Sequence, residues 1–397
     1  MNQPKKVIIV GAGFAGIQTA RRLAKQTRST DLEIILISDR DHFEYYPALH
    51  TYLSVDGPVP YTSTPLAAIF DSIRASVINE KVTACDLSTK TITLQSGKTM
   101  TSDYLVLALG SQSTFFNIQG LPDMSFPFQN IENAKNLRAH IETMFEKHCK
   151  NNDIADCVVG LHFVVVGGGP NGVDLAGELA TLSKYLCKKH ALTESLVTID
   201  LIEGASSILS MMTPQVQKIA TKRLRKLGVN ILCNRQLLKQ GSWTVALADM
   251  TLGAKTLIWT AGSTGNELVT RIPSIVLQKK NRITVNNNLE IDQHSNCFVI
   301  GDIADTKFAG LAQTAIYDGD YVANMIESRI QGGTIDPYVP QAVAYNIGVG
   351  HGWSITQIGN IVISGKLSSI LRKVIDLKYF LSILPFSRVM HLSPFKK

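Results

Sequence analysis

Three observations predict an α/β protein of two nested Rossmann-like dinucleotide-binding domains. A strand–glycine turn–helix unit occurs twice, a third strand ends in Gly301-Asp302, and 45% of the 397 residues are apolar against 18% charged. The first domain is expected over residues 1–115 and 289–331, with the second inserted at 116–288. A C-terminal α+β module is expected over 332–397.

The first unit opens with the short apolar run Val7-Ile8-Ile9-Val10, a buried strand, followed by Gly11-Ala12-Gly13-Phe14-Ala15-Gly16. Ile17, Ala20, Leu23 and Ala24 then give a helix its apolar face, and a strand at 34–37 runs to Asp39 and Arg40. G-x-G-x-x-G between strand and helix lets the backbone approach a pyrophosphate at the helix N-terminus. Asp39, 23 residues past the last glycine, is placed to accept from an adenosine ribose.

The second unit lies 156 residues on: Phe163 to Val166, then Gly167-Gly168-Gly169-Pro170-Asn171-Gly172 and a helix. Its strand at 198–202 ends at Glu203, 31 residues past the last glycine, so the helix or its trailing loop is extended. Two such units imply a flavoprotein that also binds a nicotinamide nucleotide. The strand at 297–300 supports this, because Asp302 can bond a flavin's ribityl chain. The helix opening near Ala312-Gln313 would also turn its positive end toward a reduced flavin. Strands ending at Ala108–Gly110 and at Ala261-Gly262 mark where the domains hand over the chain.

Several classes are excluded. No window is long and apolar enough for a spanning helix. The six cysteines are scattered without a C-x-x-C, which argues against a disulfide framework, a dithiol centre and a thiolate metal site. The net charge of +7 concentrates beyond Gly333, where seven basic residues, Lys396 and Lys397 among them, face Asp336 and Asp376. No nucleic-acid motif accompanies them. From Leu367 the pattern is helical: Leu367, Ile370, Leu371, Val374 and Leu381 share one face, and Ser368, Ser369, Arg372, Lys373 and Asp376 the other. A core helix gives this pattern too, but the aromatic-rich apolar end favours a helix lying on a membrane surface. Arg372, Lys373 and Lys378 are then expected to meet lipid headgroups.

These motifs, in order, resemble the two-dinucleotide-binding flavoproteins and, within them, the type II NADH:quinone oxidoreductases. The markers are VIIVGAGFAG, FEYYPAL at 43–49, GGGPNGVDLAGEL at 167–179, WTAG at 259–262, VIGD at 299–302, AQTA at 312–315 and RKVID at 372–376. The resemblance implies FAD on Gly11, Gly13, Gly16, Asp39 and Asp302, and NADH on Gly167, Gly169, Gly172 and Glu203. Cofactor contacts extend to Phe14, Ala15, Arg40, Ala108, Gly110, Pro170, Asn171, Ala261, Gly262, Gly301 and Ala312. The acid that follows the second fingerprint in the family is here Asp174, one methylene shorter, with Glu178 a helical turn on; which of the two acts stays open. Gln313 takes the first glutamine of the family's quinone segment and Tyr317 replaces the second, an aromatic that can stack on a quinone or mark a changed acceptor. The implied enzyme is membrane-peripheral on the cytoplasmic or inner organellar face, is non-proton-pumping, and leaves a homodimer open. A soluble NAD(P)H-dependent flavin reductase and a redox-sensing flavoprotein resembling apoptosis-inducing factor are the alternatives.

Overall fold

The short β-branched runs form parallel strands, and the segments that follow them form covering helices. The computed structural model describes residues 3–26, 32–148 and 153–392, with residues 391 and 392 in backbone only; Cys149, Lys396 and Lys397 lie outside them. Among the described residues ten strands carry the two main sheets, the two-residue Phe126–Pro127 and nine longer ones: β1 (Lys5–Val10), β2 (Leu32–Ser38), β3 (Ser76–Asn79), β4 (Tyr104–Leu107), β5 (His162–Val166), β6 (Thr198–Ile202), β7 (Val229–Leu232), β8 (Thr256–Trp259) and β9 (Cys297–Val299). Four helices position the site: α1 (Phe14–Gln26), α2 (Pro170–Lys189), α3 (Ala312–Ile330) and α4 (Lys366–Ile383).

One compact unit comprises Met1–Glu44, Ser63–Gln112 and Ser263–Val343. Its parallel sheet has the order β9-β4-β1-β2-β3, with Val10 opposite both Ile37 and Leu107. Val7 to Val10 are buried on both faces, as a central parallel strand requires. Helix α1 packs on α3 so closely that a Cβ at Gly319 would lie 2.7 Å from the Ala15 carbonyl oxygen. Glycine is what lets the two helices meet there.

The other unit comprises Tyr45–Thr62, Ser113–Gly262 and Ala344–Lys397. Its parallel sheet runs Phe126–Pro127, β8, β5, β6, β7. Helix α2 extends 20 residues to Lys189, and a 3-10 turn follows at Glu194–Leu196. That extension accounts for the long spacing to Glu203.

The C-terminal segment of this unit is a three-stranded antiparallel sheet (Tyr345–Gly348, Ser354–Ile358, Ile361–Gly365) leading into α4. Helix α4 is amphipathic in the inverted sense. Leu367, Ile370, Val374 and Leu381 are 67%, 53%, 46% and 42% exposed, whereas Ser368, Asp376 and Phe380 are buried. The reason lies in the sheet beneath: the Ser368 hydroxyl sits 2.7 Å from both Ser354 Oγ and Thr356 Oγ1, and Asn346 Nδ2 donates to the Ser368 carbonyl at 3.2 Å. Over the sheet the buried face is polar because its partners are polar, while Phe380 and Ile383 bury the apolar end of the helix. This corrects the expectation for Arg372, which is turned inward with that face instead of toward lipid.

The inversion generates a paired test by thermal or denaturant unfolding. Ser368→Ala removes the bonds to the Ser354 and Thr356 hydroxyls, of which Thr356 keeps Asn346, and should cost about 1–2 kcal/mol. Leu367→Ser, although it removes an apolar side chain, should stay within about 0.5 kcal/mol. The reverse ranking would show that α4 packs through its apolar face.

Candidate functional site

In the first unit the three fingerprint glycines do three different things. Gly11, at φ +111°, passes so close to β4 that a Cβ would lie 2.2 Å from the Ala108 carbonyl oxygen. A Cβ at Gly16 would lie 1.9 Å from the Gly11 carbonyl oxygen, so the turn folds tightly onto α1. Gly13 has nothing within 4 Å of a Cβ position. Two glycines therefore close the turn and the middle one leaves the approach to the helix N-terminus open. Phe14 and Ala15 are buried beneath it, with Phe14 edge-on to Phe43 at 5.1 Å.

Asp39 is exposed just past the end of β2, and Arg40 beside it pairs with Glu44. Gly110, at φ +68°, is also open in front. Past β9 the chain turns at Gly301 (φ +74°), and Asp302 Oδ2 accepts from Ser111 Oγ at 2.7 Å. Helix α3 begins at Ala312 without a side-chain cap, so its first amides keep their donors. Gln313 is exposed and Tyr317 half-buried, one turn apart on the same face.

The second unit repeats the glycine geometry. A Cβ at Gly167 (φ +114°) would meet the Ala261 amide at 2.8 Å, and one at Gly172 the Gly167 carbonyl oxygen at 1.8 Å. Gly169 has nothing within 4 Å and caps α2 without a side chain, with half-buried Pro170 and exposed Asn171 following. Thr260 Oγ1, next to Ala261, donates to the Val166 carbonyl at 2.8 Å. Gly262, at φ +81°, lies under the Phe116 ring. Glu203 accepts at 2.7 Å from both the Gly168 and Ala205 amides, which hold its carboxylate at the turn. The residues in both units thus fit phosphate-bearing nucleotides: each has an open central glycine before a helix N-terminus and an acid at the end of the next strand, and α2 carries no side-chain cap.

Asp174 and Glu178 are both buried on α2. Asp174 Oδ2 accepts from Arg372 Nη1 and Nη2 at 3.0 Å each, and lies 3.4 Å from His50 Nδ1. Arg372 also donates to the Pro47 carbonyl. Gly348 makes room for this pair, since a Cβ there would lie 2.1 Å from Asp174 Oδ1. Burial, reinforced by the Asp174 charge, pushes the Glu178 carboxyl up to about 8 and leaves it neutral at pH 7. Burial lowers His50 to about 4, so it too is neutral. Around the next turn of α4, Asp376 accepts from Tyr45 at 2.6 Å and Tyr61 at 3.0 Å. Burial raises Asp376 against the pull of Arg372 and both phenols.

Sequence reasoning missed Ser111, His50, Tyr45, Tyr61 and the inward role of Arg372. The FEYYPAL stretch contained Tyr45 and Pro47, but nothing local tied it to residues 372–376. Among the described residues no cluster of His, Cys, Asp and Glu can hold a metal.

The family model for pyridine nucleotide-disulphide oxidoreductases matches residues 5–319. A Staphylococcus haemolyticus protein named type II NADH:quinone oxidoreductase is 30% identical over 392 residues, 94% of each chain. A Staphylococcus aureus protein of the same name is 29% identical over 390 residues, again 94% of each. Among solved structures, Plasmodium falciparum NDH2 in complex with NADH superposes with TM-score 0.88 over all of both chains, at 18% identity. The sulfide:quinone oxidoreductase of Aquifex aeolicus gives 0.79 over 98% and 95%, at 21% identity. At those identities the structures speak for the fold. The family follows from the sequence matches and the doubled glycine geometry they span: the chain belongs to the pyridine nucleotide-disulphide oxidoreductase family and, within it, to the type II NADH:quinone oxidoreductases.

Proposed function

We propose that this chain is an FAD-dependent NADH:quinone oxidoreductase, taking hydride from NADH and passing two electrons to a quinone without pumping protons. The observation that carries this is the repeated closed–open–closed glycine turn, Gly11/Gly13/Gly16 and Gly167/Gly169/Gly172, in a chain of that family. Bound FAD supplies the two-electron chemistry, accepting hydride and releasing electrons to the quinone. The chain's own residues bind and orient. The first turn, Asp39 and Asp302 hold the flavin nucleotide in the first unit. The second turn and Glu203 hold NADH in the second, with Glu203 repelling a 2′-phosphate. Gln313 and Tyr317 form the quinone contact, through an amide and an aromatic face. Glu178 keeps a proton at neutral pH, next to the ion-paired Asp174.

The exposed apolar face of α4, continued by Phe386 and Met390, supports docking on an anionic membrane surface. Full burial of such a side chain is worth about 1.5–3 kcal/mol. Each nearby basic residue, Lys378 among them, adds about 1 kcal/mol. Among the described residues no helix is long and apolar enough to cross a membrane. We place the enzyme peripherally on the membrane, at its cytoplasmic or inner organellar face.

Purified protein should carry non-covalent FAD and oxidise NADH with a short-chain quinone, with kcat/KM at least about tenfold better than with NADPH, a difference of about 1.4 kcal/mol. Absence of quinone-dependent turnover would leave a flavoprotein with another acceptor. Glu203→Ala should narrow the nucleotide preference.

Glu178 gives a pH test. Its carboxyl is raised in the folded chain, so the stability it confers is present below about 4.5 and drains away as pH rises toward 8. Glu178→Gln should therefore melt higher than the wild type at pH 8.5 and about equal at pH 5. A constant offset would show that the carboxyl titrates normally.

Ile370→Asp with Val374→Asp should abolish sedimentation with anionic vesicles while NADH still reduces ferricyanide at the wild-type rate. Undiminished vesicle binding would remove α4 as the docking element.

A further inference from the structure

The turn that carries Asp302 is fixed from behind by a carboxylate that no part of the proposed chemistry uses. Asp318, wholly buried in the second turn of α3, accepts from the Gly301 amide at 2.9 Å through Oδ2. Its Oδ1 accepts from the Tyr338 hydroxyl. Tyr338 is itself fastened: its amide donates to the Asn287 carbonyl at 2.7 Å, and its ring lies 5.1 Å from that of Tyr321. Tyr321 in turn donates to the Asp336 carbonyl at 3.1 Å, so the stretch after α3 is strapped across the helix. On the other side, Gly319 is locked against α1, where Thr19 Oγ1 donates to its carbonyl at 3.3 Å.

We propose that Asp318 is a positioning residue for the flavin end of the fold: latched by Tyr338, it holds the Gly301–Asp302 turn so that the Asp302 carboxylate is set for a bound flavin nucleotide. This rests on the reading that Asp302 contacts FAD. A wholly buried carboxylate is costly, and an uncharged residue would pack there at less expense. What the carboxylate adds is two charge-assisted bonds to elements distant in sequence, the Gly301 amide and the Tyr338 phenol.

The arrangement is pH-sensitive in a defined direction. Burial pushes the Asp318 carboxyl up to about 6, opposed by the bonds from Tyr338 and Gly301 and helped by the Asp302 charge. The α1 side presents Thr19 and Gln18, which are uncharged, while Arg22 pairs with Asp320 at 4.0 Å. Protonation replaces both charge-assisted bonds with neutral ones and loosens the turn.

The test follows FAD release from purified holoprotein by flavin fluorescence between pH 5 and 8, in wild type, Asp318→Asn, Tyr338→Phe and Asp302→Asn. Wild type should release FAD severalfold faster at pH 5 than at pH 7.5, because the protonated fraction of a carboxyl with its midpoint near 6 rises from about 3% to about 90% over that range. Asp318→Asn should release it faster at pH 7.5 and lose the acid dependence. Tyr338→Phe, which leaves the carboxylate but removes a bond favouring its charge, should move the midpoint to higher pH. A purely structural role would change release without moving that midpoint. Wild-type rates and profiles in both variants, alongside fast release from Asp302→Asn, would overturn the proposal. Wild-type release from Asp302→Asn would instead overturn the reading of Asp302, and the proposal with it. Should Asp318→Asn fail to accumulate, Tyr338→Phe decides alone.

Discussion

The structure depends on how closely a backbone can approach itself at a turn with no side chains. In both units the first and third glycines press a Cα against neighbouring backbone, a carbonyl oxygen at Gly11, Gly16 and Gly172 and the Ala261 amide at Gly167, at distances no Cβ tolerates, while the middle glycine faces open space. The closed pair fixes the strand–helix angle and aims the first amides of the helix. The open member lets a phosphate reach them. The rest follows from aim. Each sheet supplies an acid near the end of its second strand, Asp39 or Glu203, and the neighbouring strand supplies the backbone against which the first glycine packs.

A second constraint is buried charge. Arg372, Asp174, Asp376 and Glu178 sit together in one unit, and each is handled differently: Arg372 and Asp174 by mutual pairing, Asp376 by two phenols, Glu178 by keeping its proton. A buried ion pair of this sort gains little over well-packed apolar side chains, and breaking one partner is expensive. The arrangement makes α4 a helix whose polar side cannot be exposed without uncovering a charge, so its apolar side is the one left outward.

What was legible in the sequence was whatever repeats locally. The glycine turns, the strand pattern around them, the acids that follow and the helix beginning at Ala312 all announce themselves within about 30 residues. The amphipathic pattern of 366–383 was legible too, but not which face would be covered. That depended on Asn346, Ser354 and Thr356, polar residues on an antiparallel sheet whose partner was not evident. Arg372 illustrates the limit. Its partners are Asp174 and Pro47, 198 and 325 residues away, and neither spacing has a periodicity to betray it. Ser111 beneath Asp302, at a separation of 191, was hidden in the same way.

The nested chain order also sets a sequence of events on the ribosome. Strands β5 to β8 lie between residues 162 and 259, so the second unit's sheet is complete as soon as that stretch has emerged. The first unit has to wait. Its strand β9 arrives only at Cys297, and α3, which covers α1, finishes at Ile330, about 300 residues after the helix it packs on. Until then one edge of β4 stays unpaired and the α3-facing side of α1 stays bare, a state prone to wrong association. Closing contacts so distant in sequence is intrinsically slow. Through most of synthesis, therefore, the first unit stays half-built, and it can close only once the late segment, 297–330, has emerged.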